Sequence, residues 1–87
     1  MSVYFKLVDE KREVFKGYID KLNVMTVGGE LTILPNHAPL LTIVKDGGKI
    51  CIHHDKKIDK YIIYGGVLAI KKKDISLLAK NIEETKD

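Results

Sequence analysis

The sequence predicts an all-β fold, a sandwich or barrel of short strands. Three observations predict it. Turn residues (Gly, Pro, Asn and Asp) punctuate the chain about every 8 to 12 residues or closer, the spacing of an all-β domain. Ile, Leu and Val dominate the apolar residues and Trp is absent, and β-branched side chains pack well on a pleated surface. No long segment carries the apolar repeat of an amphipathic helix.

The elements follow in order. Val3, Phe5 and Leu7 alternate with Ser2, Tyr4 and Lys6, which reads as a first strand. Val14 to Val27 reads as a long or broken strand. Leu22, Val24 and Thr26 share one face, Ile19 has the opposite parity, and a bulge near Asp20 and Lys21 would reconcile them. Gly28 and Gly29 end that run. Leu31 to Leu34 is a short strand stopped by Pro35-Asn36, and Pro39 opens another from Leu40 to Val44. Asp46-Gly47 is a hairpin signal, with Lys49 to His53 as the return strand. Asp55-Lys56 turns into Lys57 to Tyr64, Gly65-Gly66 breaks that strand, and Val67 to Ile70 follows. Lys72-Lys73-Asp74 makes the next turn, and Ile75 to Ala79 closes the pattern. Residues 81–87 read as a short polar tail, a turn of helix or frayed chain, after a sandwich domain over 1–80.

Composition bounds the function. The 87 residues make one small domain; 45% are apolar, enough for a modest core, and 31% are charged, enough to solvate the surface. The net charge of +3 is spread along the chain, with one short run at Lys71-Lys72-Lys73 and a single arginine, Arg12. Nucleic-acid binders concentrate charge on one face and add aromatic or Arg contacts to bases, so that class is disfavoured. Cys51 is alone, which excludes an intramolecular disulfide and suits a reducing compartment. The N-terminal residues show no secretory pattern, and the apolar runs fall far short of the ~20 residues that cross a bilayer.

No catalytic constellation emerges. His53 and His54 are adjacent on a strand and point to opposite faces, so with His37 they make a poor metal set. Cys51 and His53 share a face, but no orienting acid or oxyanion element accompanies them. Gly28-Gly29 and Gly65-Gly66 lack phosphate-loop spacing and precede no helix, so they are assigned to backbone needs. No cofactor, nucleotide or other small-molecule ligand is expected.

The informative stretch is Gly29-Glu30-Leu31-Thr32-Ile33-Leu34-Pro35-Asn36-His37-Ala38-Pro39-Leu40-Leu41-Thr42. Pro35 and Pro39 fix φ at both ends of a bend, Asn36 tolerates the left-handed conformation, and Ala38, before a proline, should be extended. His37 therefore stands on a stiff corner. On physical grounds alone, capping of nearby backbone by its ring weighs more than an exposed contact.

This stretch resembles the G-E-L/F-G-I-L-P-G-H-A-P-L-L segment of the ε subunit of F-type ATP synthases, called δ in mitochondria. Val14-Phe15-Lys16-Gly17 is similar to the opening of that family's second strand, and Lys45-Asp46-Gly47 with Ile50 to its L-x-x-G-x-x-x-I hairpin. Tyr64-Gly65-Gly66-Val67-Leu68 resembles its S-G-G-F/I-x-E-V element, and Ile75-Ser76-Leu77-Leu78-Ala79 its V-T-V-L-A strand. The likeness runs in order from residue 3 to 80; Thr32 and Asn36 depart from it where glycine is usual. The resemblance implies a flattened two-sheet antiparallel sandwich and a non-catalytic rotor subunit docked on the γ subunit and the c-ring. It implies c-ring contacts at Glu30 and His37, and a peripheral position on the cytoplasmic face of the bacterial inner membrane. Many relatives continue into a regulatory helical hairpin, and coupling without that arm is the expectation here. A generic β-sandwich adaptor is the alternative.

Overall fold

The computed structural model describes residues 1–86 and contains ten strands. They are β1 (Val3–Val8), β2 (Glu13–Ile19), β3 (Lys21–Thr26), β4 (Gly29–Ile33), β5 (Leu40–Ile43), β6 (Gly48–His54), β7 (Lys57–Tyr64), β8 (Val67–Ile70), β9 (Asp74–Leu78) and β10 (Asn81–Thr85). Two five-stranded sheets form, in the orders β2-β1-β9-β8-β5 and β10-β7-β6-β3-β4. We call them sheets A and B. Every neighbouring pair is antiparallel except β1 and β9, which run parallel with Leu7 opposite Leu77.

Alternation sends one residue in two inward, as the period of a strand requires. Phe5, Leu7, Leu68, Ile75 and Leu77 from sheet A meet Leu22, Ile50, Ile52 and Ile63 from sheet B, all fully shielded from solvent. Thr26 is the one buried polar side chain among the described residues. Its hydroxyl donates to the Gly29 carbonyl (2.7 Å) and accepts from the Gly28 amide (3.1 Å), which closes the β3–β4 turn.

The chain crosses between sheets five times, and the crossings sort to two ends. Asp20 and residues 34–39 cross at one end; residues 44–47, 65–66 and 79–80 cross at the other. Three sequence expectations are corrected here. The parity break at Asp20 is a change of sheet and not a bulge: β2 ends in sheet A, the Asp20 amide donates to the His53 carbonyl (2.7 Å), and β3 begins in sheet B. Ile19 and Leu22 are both buried because each faces the core from its own sheet. Asp46-Gly47 likewise joins two sheets instead of closing a hairpin. β5 pairs with β8, whereas β6 pairs with β3 and β7. The turn itself is real: the Gly48 amide donates to the Lys45 carbonyl (2.8 Å), with Gly47 at φ 76°. Asp46 also accepts the Gly65 amide through Oδ1 (2.7 Å), tying two crossings together.

The third correction concerns the polar tail. Residues 81–85 form β10, an edge strand with Ile82 opposite Ile63 and Glu84 opposite Tyr61. Ile82 is buried, so the one apolar residue of the segment anchors a ladder and the segment belongs to the sandwich. Burial, with the charges of Asp59 and Glu84 adding to it, pushes the Tyr61 hydroxyl pKa up.

Candidate subunit interface

The outer positions of the two sheets hold the side chains available to a partner. Sequence reasoning singled out Glu30 and His37, and the structure sets them at opposite ends of β4. Glu30 is one residue beyond Gly29 (φ 119°), pairs with Met25, and stands exposed on the outer face of sheet B. It borders a shallow cleft of about 410 Å³ with Asn23, Met25, Lys45, Lys49 and Cys51, floored by the Gly47-Gly48 backbone. A side chain at Gly48 would strike the Lys45 carbonyl, 2.7 Å from its Cβ position, so that floor stays bare.

His37 follows the far end of β4. Its amide donates to the Leu34 carbonyl (3.2 Å), closing a turn with Pro35 second and Asn36 third at φ 71°, the arrangement of a type II turn. The His37 ring donates from Nδ1 to the Ala38 carbonyl (2.9 Å), the local backbone capping that physical reasoning favoured. That bond fixes the tautomer and leaves Nε2 as an acceptor. Pro39 then delivers the chain to β5 in the other sheet.

The glycines at 65 and 66 do different work. Gly65 is the left-handed residue, at φ 63°. Gly66 is buried, and a Cβ there would lie 2.7 Å from Ile63 Cγ2 and 3.2 Å from Leu77 Cδ2. Its requirement is close packing of the turn on the core, not a positive φ.

The sequence reading named no residues for the surface that stands out most. On the outer face of sheet A, register aligns Ile43 with Val67, Val67 with Leu78, and Leu78 with Val8. Ile43 is 57% exposed and Leu78 58%, Val67 is also exposed, and Val8 is half-buried. Leu41, at 72%, extends the apolar surface beside Ala69. Four strands therefore present a continuous aliphatic row to solvent at the end where three crossings occur. A signal for it was present: Leu40-Leu41-Thr42-Ile43-Val44, Val67 to Ile70 and Leu77-Leu78 do not alternate, so both faces of those strands are apolar.

The opposite outer face is mainly polar, with Met25 and the half-exposed Ile58 among its apolar exceptions. Lys21, Asn23, Cys51, His53, Lys60 and Thr32 occupy it, and Asn23 bridges Thr32 (2.9 Å) and the His53 Nε2–H (2.8 Å). His53 thus spends its donor on Asn23 and not on Cys51. Among the described residues no three His, Cys, Asp or Glu side chains gather as a metal set, and no helix is long and apolar enough to cross a membrane.

The family model for the ATP synthase delta/epsilon chain β-sandwich domain matches residues 2–85. Among solved structures, the Euglena gracilis mitochondrial ATP synthase (OSCP/F1/c-ring in rotational state 1) contains a chain that superposes with a TM-score of 0.88 at 16% identity, covering 95% of this chain and 53% of that one. The Tetrahymena thermophila mitochondrial ATP synthase (central stalk/c-ring) contains another, with a TM-score of 0.79 at 11% identity, covering 94% and 66%. This chain spans about half the length of the first and just under two thirds of the second; at these identities the likeness is one of fold. With a family match over nearly its whole length, the chain belongs to the family of the ATP synthase delta/epsilon chain β-sandwich domain.

Proposed function

We propose that this domain is part of the central-stalk rotor subunit of a proton-translocating F-type ATP synthase, coupling rotation of the c-ring to the γ subunit and the catalytic head. The observation that carries this reading is the aliphatic row Val8–Leu78–Val67–Ile43, exposed in a chain of this family. Permanent interfaces are apolar, so the row suits the lasting grip on γ. Glu30 and His37 supply polar contacts to the loops of the c-ring, where a carboxylate and an imidazole Nε2 accept hydrogen bonds from loop donors. The domain's part in catalysis is mechanical. Backbone hydrogen bonds from Val44 to Gly66, Gly47 to Ile63 and Ala79 to Val8 lace the crossings beside the row and stiffen the part that would bear torque. The domain acts without cofactor, nucleic acid or chemistry of its own, on the cytoplasmic face of a bacterial plasma membrane.

The test is reconstitution of ATP-driven proton pumping with Ile43→Lys/Leu78→Lys. Both side chains face solvent, so the variant should fold, lose co-purification with γ and fail to restore pumping. Full pumping with a folded variant rejects the row as the grip. Membrane fractionation checks the location: the chain should sediment with membranes through the complex and leave with the stripped catalytic sector.

A further inference from the structure

A second concave surface lies where Asp20 crosses between sheets. Asp20, Lys21, His53, His54, Lys56, Lys57 and Ile58 line a cleft of about 370 Å³ at this end of sheet B. The register sets Lys21 opposite His53 and His53 opposite Ile58, and the β6–β7 hairpin brings Lys56 and, opposite His54, Lys57 to the same end. Asp55 and Lys56 form its two-residue turn, both left-handed at φ 49° and 62°, which holds Lys56 over the opening.

The charges in this cleft do not balance. Lys21, Lys56 and Lys57 form no ion pair among the described residues, and Asp20 is the one carboxylate in the lining. The other acids of the hairpin are drawn away: Asp59 accepts from His54 Nε2 (2.7 Å) and Asp55 lies 3.7 Å from His54 Nδ1. His54, which also lines the cleft, packs edge-on against Phe15 of β2 and holds these two carboxylates beside it. Three ammonium groups around one opening repel each other, and a multiply charged anion relieves that repulsion. The His53 ring supports the same picture. Its pKa is lowered first by partial burial and then by the Lys21 charge, with Asp20 opposing. Its Nε2–H is committed to Asn23, so Nδ1 remains for the cleft.

We propose that the cleft formed by Lys21, Lys56 and Lys57 over Ile58 binds a phosphate-bearing group, free as a diphosphate or carried on a lipid headgroup. Its chemistry differs from a glycine phosphate loop: point charges on flexible stems replace backbone amides, which is why spacing rules for glycine found nothing here. The site is independent of the aliphatic row, and its failure would leave the rotor reading untouched.

The experiment uses the whole chain at low ionic strength, with amide and imidazole resonances followed by NMR. Sodium pyrophosphate should shift residues 20–21 and 53–58 saturably and raise the His53 ring pKa. Lys21→Gln/Lys57→Gln should weaken binding about a hundredfold, about tenfold for each charged hydrogen bond removed, whereas Lys71→Gln/Lys72→Gln, outside the cleft, should not. In a second arm, sedimentation with phosphatidylglycerol and with phosphatidylcholine vesicles identifies the source. Pyrophosphate binding assigns a free phosphate ligand. Binding to phosphatidylglycerol alone, lost in the cleft variant, assigns a headgroup. Binding of neither probe overturns the site, as does equal weakening by both lysine pairs, which is general charge attraction.

Discussion

The two outer faces of this sandwich share one backbone rule and obey it differently. In both sheets the inward positions are filled by the same kind of residue, so Ile50 and Ile63 of sheet B are chemically interchangeable with Ile75 and Leu77 of sheet A. The outward positions diverge. Sheet A lines up Ile43, Val67 and Leu78 in a contiguous row, while sheet B shows Lys21, Asn23, Thr32, Lys49 and Lys60, with Ile58 exposed at one end. The core parity therefore carries the fold, and the other parity carries what distinguishes this domain from any sandwich. An exposed aliphatic cluster lowers solubility unless something covers it, and this is the ground for proposing sheet A as the face that takes a partner.

The comparison can be broken most severely at the row. Burial of an aliphatic side chain is worth about 1.5–3 kcal/mol, so Ile43→Lys/Leu78→Lys should cost about 3 kcal/mol or more in docking and leave the thermal melt of the free domain unchanged. The matching change on sheet B, Lys49→Glu/Lys60→Glu, should leave co-purification with γ intact; equal losses on both faces would erase the distinction. Next comes the layer the faces share. Gly66→Ala places a methyl group 2.7 Å from Ile63 Cγ2, and overpacking of this kind costs about 1–3 kcal/mol. Gly65→Ala meets only the flexible Lys80 stem and carries a positive-φ penalty of about 1 kcal/mol. Chemical denaturation of the two variants ranks them, and a more stable Gly66→Ala overturns the packing reason for that glycine.

If the proposed c-ring role holds, Glu30→Ala and His37→Ala should each weaken coupling by about 1 kcal/mol or less, since both side chains are solvent-accessible. The folded domain should melt normally. Proton pumping by membranes carrying each variant is the readout, and undiminished pumping by both removes them from the c-ring contact. The smallest effect is electrostatic and belongs to sheet B. The folded-state pKa of His53 lies below its unfolded value of about 6.5. Its contribution is fully present above the unfolded value and is lost as pH falls through the folded one, because the unfolded chain binds the proton more readily. Melting temperature should therefore fall on acidification from about pH 7.5 to 5, and His53→Gln should flatten that slope; identical slopes would discard the assignment. Asp9 acts separately and lower. The Lys11 amide first, then that of Arg12, holds its carboxylate below the ordinary range against partial desolvation, so its stabilisation is lost only below about pH 4.

Strand positions and the left-handed Asn36 were legible in the sequence because alternation and turn chemistry are local. What the sequence hid was the destination of each strand. Asp46-Gly47 makes the same tight turn whether the next strand returns beside the last or crosses to the other sheet, and only the pairing of β5 with β8 distinguishes them. Asp20 posed the same problem: a parity break is identical on paper for a bulge and for a change of sheet. β10 was missed because one apolar residue, Ile82, is a weak pattern until Ile63 stands opposite. Glu30 and His37 were singled out through family resemblance, and the local geometry of the His37 bend was partly foreseeable from Pro35 and Pro39. The aliphatic row was readable in principle, since runs without alternation mark strands that are apolar on both sides.

The parallel pairing of β1 with β9 sets the order in which this chain can mature. Leu7 and Leu77 stand opposite each other, so two neighbouring inner strands of sheet A, β1 (Val3–Val8) and β9 (Asp74–Leu78), come from segments far apart in the chain. The β1–β2 hairpin can form early, but one edge of β1 stays unpaired until β9 leaves the ribosome. Contacts this distant along the chain make folding slow. A nascent chain interrupted before Asp74 would hold that edge of β1 unpaired and open to wrong association. Circular permutation that places β9 directly before β1 would bring the pair close in sequence and speed folding without altering the finished sandwich.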